Sequence, residues 1–339
     1  MKTNTLNHSA TVTPSCSISK ERRWVALSVF LLALVFSTWA QAQTQWFATV
    51  GAQTDDKGGQ ALAFLPNEIW IHAGDKITWQ FASDDIHTVT FLTAGQVRPP
   101  FLEGCPGFSS DPATFDGSTC VTTPPLLNGS TFTVIFPVAG NFKLTCLVHE
   151  DMTGSIHVLD QSESLPHDQA FYDEQVAEQQ IKLLGEIHHL KSDGLRNCCH
   201  LVTAGAGKIK NSAGGADTVS LLRFSRDITI RAGQTVEWGN LDPRTPHTIT
   251  FGEIPPDPFP PSPDVTVDSD GARHAVIDST SDSTHSGFLV AAPEDRVGLP
   301  QSPLGVTRFR VTFPNAGTFP YMCALHGGLG MVANVVVEP

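Results

Sequence analysis

Ile71-His72-Ala73-Gly74-Asp75-Lys76-Ile77-Thr78-Trp79 and Ile230-Arg231-Ala232-Gly233-Gln234-Thr235-Val236-Glu237-Trp238 are one phrase written twice. The correspondence continues outward. Eight residues after Trp79 comes His87-Thr88-Val89-Thr90-Phe91, and nine after Trp238 comes His247-Thr248-Ile249-Thr250-Phe251. Further on, Phe136-Pro137-Val138-Ala139-Gly140-Asn141-Phe142 matches Phe313-Pro314-Asn315-Ala316-Gly317-Thr318-Phe319, and each is followed after three residues by a cysteine. Four blocks in the same order define a duplicated unit, and that period governs every local assignment.

Each copy reads as strands. Phe132, Val134 and Phe136 alternate with Thr131, Thr133 and Ile135, and Val311 and Phe313 alternate with Arg310 and Thr312. A period of two is the pattern of a half-buried strand. Ala-Gly ahead of an alternation supplies a tight turn into it. Short, regularly spaced strands broken by Gly and Pro predict an all-β chain with one β-sandwich per copy. Between the copies, residues 168–190 lack Pro and place Val176, Ile181, Leu184, Ile187 and Leu190 near helical spacing, with Gly194 as a stop. This predicts an amphipathic linker helix packed on one or both sandwiches. Long insertions at about 92–130 and 252–305 separate the histidine strand from the cysteine strand of each copy. The second is long enough to be a functional cover or a loop without order.

The first 42 residues have another character. Arg22 and Arg23 precede an apolar block at 24–36, and Ala40-Gln41-Ala42 follows it. That is the three-part pattern of a secretory signal, cleaved after Ala42. An uncleaved anchor is the alternative, although the run is short of the roughly 20 residues a span needs. The expected organisation is signal 1–42, first sandwich 43–160, helical linker 161–200 and second sandwich 201–339. The 339 residues carry 21 Lys and Arg against 34 Asp and Glu, a net charge of −13. Lys2, Lys20, Arg22, Arg23 and Glu21 leave with the signal, so the mature charge is about −16. A surface this acidic excludes nucleic-acid binding, which needs cations to displace counterions from phosphate. Charged residues are only 16%, with 28 Gly and 24 Pro, which favours turn-rich β structure over helical bundles.

Of seven cysteines, Cys16 lies in the signal. Cys105 and Cys120 bracket a Gly/Pro/Ser/Asp loop, and in an oxidising compartment they are expected to form a disulfide. Cys146 and Cys323 open the chemical motifs, Cys146-x2-His149-x2-Met152 and Cys323-x2-His326-x4-Met331, each with an upstream histidine, His87 or His247. One thiolate, two imidazoles and a thioether are the donor set of a type 1 copper centre. Thiolate and thioether favour Cu(I) while imidazole serves both oxidation states. Zinc is the weaker rival, because structural zinc sites rarely use Met. In the linker, His188, His189, Cys198, Cys199 and His200 leave open a further metal site or a pair of adjacent cysteines. His274 and His285 lie in the second insertion, within possible reach of a copper edge.

On these motifs the second copy resembles the plastocyanin and pseudoazurin branch of the cupredoxins. That branch ends on the same C-x2-H-x4-M loop and a strand like Val332–Val337. The first copy's shorter loop is similar to that of amicyanin, including Met152-Thr153-Gly154. The resemblance implies two tandem Greek-key sandwiches with copper at one end of each. It implies ligand roles for His87, Cys146, His149 and Met152, and for His247, Cys323, His326 and Met331. It also implies that His149 and His326 lie at a solvent-facing edge where electrons enter and leave. Thr88 and Thr248 stand where plastocyanins usually have Asn, which alters the hydrogen bonding around the site. The implied function is a periplasmic or secreted electron carrier with two type 1 coppers, not an enzyme. Its donor and acceptor would be redox proteins, a basic cytochrome suiting the acidic surface, with no stable membrane span after cleavage. Copper storage or delivery is one alternative. An enzyme like multicopper oxidases or nitrite reductases is another, but it would need a His-x-His pair or a histidine beside the cysteine. Thr145 and Met322 precede the cysteines, Leu147 and Ala324 follow them, and no His-x-His occurs.

Overall fold

The computed structural model describes residues 43–99, 103–193, 200–258, 260–291 and 307–339. The expected signal, 1–42, and Gly194, Cys198 and Cys199 lie outside them. In the first half the strands are β1 (Gln45–Gln53), β2 (Gly59–Leu65), β3 (Glu68–His72), β4 (Lys76–Phe81), β5 (Thr90–Phe91), β6 (Ala113–Thr114), β7 (Val121–Thr122), β8 (Thr131–Ile135), β9 (Gly140–Thr145) and β10 (Thr153–Leu159). Helix α1 (Gln169–Asp193) follows. The second half has β11 (Leu201–Asn211), β12 (Ala216–Phe224), β13 (Ile228–Arg231), β14 (Gln234–Leu241), β15 (Thr250–Phe251), β16 (Thr266–Val267), β17 (Arg273–Val276), β18 (Thr284–His285), β19 (Arg308–Phe313), β20 (Gly317–Met322) and β21 (Val332–Glu338).

Two five-stranded sheets, β3-β10-β9-β5-β7 and β13-β21-β20-β15-β18, have the same order in the two halves. The third sheet has eleven strands, β16-β17-β19-β14-β11-β12-β2-β1-β4-β8-β6, and runs through both halves. Its centre is the antiparallel pairing of β2 with β12, from Gly59 opposite Leu221 to Leu62 opposite Thr218. Outward from that junction the order is nearly mirrored. The first apolar core lies between the large sheet and the β3-side sheet, around Trp79, Phe91, Phe115 and Phe136. The second lies between the large sheet and the β13-side sheet, around Trp238, Phe251, Phe309 and Phe313.

The halves are therefore joined by a shared sheet as well as by the helix. The composition of β2 explains this. Gly59-Gln60-Ala61-Leu62-Ala63-Phe64-Leu65 is buried along its whole length. A strand with small or apolar side chains on both faces needs cover on both, and an unpaired edge would leave its N–H and C=O groups open. Pairing with β12 closes the edge. On the other face, Ala61, Ala63, Val219 and Leu221 form a third core with Leu183 and Ile187 of α1. The helix thus packs over the seam. Its start is capped by the Asp168 carboxylate, which accepts from the Phe171 N–H at 3.0 Å. One position departs from the periodic expectation: Ile181 is 75% exposed, while Leu183 takes a buried place.

Cys105 and Cys120 form a disulfide, with Cα atoms 5.4 Å apart, inside the first insertion. In the described part of the second insertion, β17 pairs parallel with β19 and β18 pairs with β15, so the chain there is built into the sheets. Among the described residues, no helix is long and apolar enough to cross a membrane.

Candidate metal centres

Each histidine after the Trp strand sits on an isolated bridge: His87 pairs with Leu126 and His247 with Leu289. Each cysteine leaves the strand that pairs with β5 or β15. The loop after it folds back so that the Cys146 N–H donates to the Met152 carbonyl at 3.0 Å, and the Cys323 N–H to that of Met331 at 3.1 Å. The motif spacing therefore brings both ends of each loop to one rung, below the upstream histidine.

Two clusters result, His87/Cys146/His149 and His247/Cys323/His326, each with its donor atoms within 4.8 Å of one another. The two Nδ1 atoms are 3.2 Å apart in each. Cys146 Sγ lies 4.0 Å from His149 Nδ1, and Cys323 Sγ lies 3.5 Å from His326 Nδ1 and 4.0 Å from His247 Nδ1. Metal–nitrogen bonds near 2.0 Å and metal–sulfur bonds near 2.3 Å separate donors on one ion by roughly 3–4 Å. The observed spacings fit. Burial by itself raises the Cys146 thiol, but hydrogen bonds and charge from His149 and His87 prevail and hold it well below its ordinary value. Cys323 is lowered in the same way by His326 and His247. A thiolate facing two convergent imidazoles is a soft donor set suited to copper. Met152 and Met331 are fully buried at the loop ends.

The threonines that replace Asn serve both ends of the site. Thr88 N–H donates to Cys146 Sγ at 3.4 Å, and its Oγ1 accepts from the Leu147 N–H at 2.8 Å. Thr248 repeats this with Cys323 at 3.4 Å and Ala324 at 2.7 Å. Two glycines make room for the rings. Gly51 and Gly205 both have positive φ, +70° and +75°, and a Cβ on either would collide with the Nε2 edge of His87 or His247.

The clusters are not equivalent. Ser83 Oγ is 2.8 Å from His87 Nε2, whereas His247 Nε2 is buried without a partner. Asp85 Oδ2 stands 3.4 Å from His149 Nε2, and Thr245 occupies the matching place ahead of His247. Burial disfavours the Asp85 carboxylate, but His149 outweighs it and holds the group well below the carboxylate range. Burial likewise disfavours a charged His149, and Asp85 with Cys146 reverses that and raises it. Arg98 donates to the carbonyls of Cys146 and Leu147 at 3.2 and 2.8 Å. Motif spacing did not point to Ser83, Asp85 or Arg98. The only sequence signal was a polar Ser83-Asp84-Asp85 run just before His87.

Other expectations are corrected. His149 and His326 are not solvent-facing; they are 3% and 5% exposed. His285 is engaged by Thr250 Oγ1 at 2.8 Å and the Pro258 carbonyl at 3.0 Å, and it is not one of the three clustered donors. His274 is held by Asp268 and Thr312. His188 and His189 are exposed on α1. His200 joins no cluster among the described residues.

Comparison with known proteins gives partial matches. Residues 211–338 match the copper binding proteins of the plastocyanin/azurin family. A plastocyanin of Scenedesmus fuscus is 29% identical over 124 residues, which is 37% of this chain and 94% of that protein. A chloroplastic plastocyanin of Tetradesmus obliquus is 29% identical over 37% of this chain and 63% of its own length. The reduced Cu(I) form of an amicyanin point mutant aligns at 17% identity and a TM-score of 0.24, over 35% of this chain and 87% of that one. A second amicyanin mutant, in the oxidised form, gives the same values. The second half of the chain is thus similar to the plastocyanin/azurin copper-binding family.

Proposed function

We propose that this is an exported electron carrier with two type 1 copper sites, working in the periplasm or outside the cell. His87, Cys146, His149 and Met152 would hold one copper, and His247, Cys323, His326 and Met331 the other. Bound copper supplies one-electron Cu(II)/Cu(I) chemistry. The observation that carries the reading is the pair of buried thiolate–bis-imidazole clusters with their Nδ1 atoms already convergent. Preset donors need little rearrangement between oxidation states. The surrounding β-sheets hold them rigid, and Thr88 and Thr248 fix the thiolates by hydrogen bonds. Burial excludes water from both. The acidic surface favours a basic redox partner, such as a cytochrome, at one end of the exchange.

The test is the visible spectrum of the copper-loaded mature protein with copper counted per chain. Intense blue absorption and two coppers are expected. Cys323→Ser should remove one copper and its share of the blue band while leaving the other. Two colourless coppers would favour storage or delivery, and a third copper with a type 2 resonance would favour catalysis.

A further inference from the structure

Residues beside each cluster reach across the seam between the halves. Glu150 and Asp151 follow His149 directly. Arg244, three residues ahead of His247, meets both: Nη1 is 3.0 Å from Glu150 Oε2 and Nε is 2.6 Å from Asp151 Oδ2. The Arg244 and Glu150 side chains are largely shielded from water. A shielded, two-toothed arginine pairing fixes geometry more firmly than an exposed ion pair. The second loop is tied in turn. Arg223 Nη1 donates to the Leu329 carbonyl at 2.8 Å, and its Nη2 donates to the Asp56 carbonyl of the first half.

Asp85 is buried beside the first cluster, its Oδ2 3.4 Å from His149 Nε2. Glu150 is the next residue after His149 and Arg244 lies three ahead of His247, so the Arg244–Glu150 pairing holds the two cluster-bearing segments against each other. The imidazole edges an outside partner would approach are buried in both clusters.

We propose that the two clusters act as one coupled pair, held together across the seam by the Arg244–Glu150/Asp151 pairing, so that an electron accepted at one passes to the other within the chain. This rests on the copper reading above. With copper held at both clusters, the ion at one would be oxidised by one electron and the ion at the other reduced by one. No bond forms or breaks and no proton is lost; the electron comes from the external one-electron donor. Arg244 is a positioning residue, because it supplies no donor atom to a cluster.

The experiment is EPR on the full chain loaded with Cu(II), followed by flash reduction. A dipolar interaction with one narrow distance is expected, absent in Cys323→Ser, which keeps a single spin. Flash reduction should show a redistribution phase whose rate does not depend on protein concentration. Arg244→Gln should keep both coppers and both blue bands, broaden the distance distribution and slow that phase. Asp151→Asn, at the more exposed end of the pairing, is the milder variant if Arg244→Gln fails to fold. Two blue coppers without dipolar interaction overturn the pairing and leave the copper reading standing. Fewer than two coppers overturn the copper reading and the pairing with it. Distances and rates unchanged in both variants overturn the role of the Arg244 pairing.

Discussion

Thr248 shows how much one hydroxyl does. Its Oγ1 accepts from the part-buried Ala324 N–H and also contacts Cys323 Sγ, at 3.8 Å. Thr248→Val keeps the shape and strands that N–H, so the apoprotein should lose about 1–3 kcal/mol in chemical denaturation. The blue band of the second site alone should shift, and an unmoved band would remove Thr248 from that role. Gly205 is a second single-residue constraint. Gly205→Ala must accept a positive φ of +75° and displace the His247 ring, at a cost of about 1–3 kcal/mol. Copper titration should show weaker binding at the second site only. At this scale the six His and Cys residues of the two clusters were legible from order and spacing, which are properties of the sequence itself. Ser83 and Asp85 were not. Their importance comes from which imidazole edge they face, and nothing local encodes that.

Among elements, α1 offers the sharpest contrast. Ile181 and Ile187 are the same residue type six positions apart. Ile187 lies against the seam between β2 and β12, while Ile181 faces water. Ile187→Ala should cost about 2–5 kcal/mol by opening a cavity, and Ile181→Ala less than about 0.5 kcal/mol. Thermal melts of the two variants check this; similar losses would mean the helix does not sit on the seam. The helix itself was readable from its period and lack of Pro. Its buried face was not, because Leu183 and Leu184 both fit the period and only the shape of the seam selects between them.

For the whole molecule, the seam carries a titration. Asp217 of β12 is buried beside Asn67 and Ser212, and burial outweighs their hydrogen bonds and the Lys182 charge, raising it to about 7. The unfolded chain releases this proton near its ordinary 3.8. Between these values the folded state holds a proton that the unfolded state has lost, so this group's contribution to stability falls as pH rises. Across the window the loss is about 4 kcal/mol. Asp217→Asn should flatten the stability profile between about pH 4 and 7 in urea titrations. A profile of unchanged slope would place the carboxylate in water. The group joins the two halves, with its hydrogen bonds reaching Asn67 of the first, so loosening of the seam should accompany its ionisation.

The sequence by itself determined the strands, the period of the helix, the Cys105–Cys120 bridge and the two His/Cys/His triads. Each depends on neighbours along the chain or on the chemistry of a side chain, and each occurs in a recognisable local pattern. Tertiary structure decided the rest. It merged the halves into one sheet through β2 and β12, because two open edges of matching length satisfy each other's backbone groups. It buried His149 and His326, where the resemblance had placed them at a solvent-facing edge. It brought Arg244 to Glu150 and Asp151, more than ninety residues away in the chain. Such pairings depend on where two separate strands end in space, and no local pattern of residues carries that information.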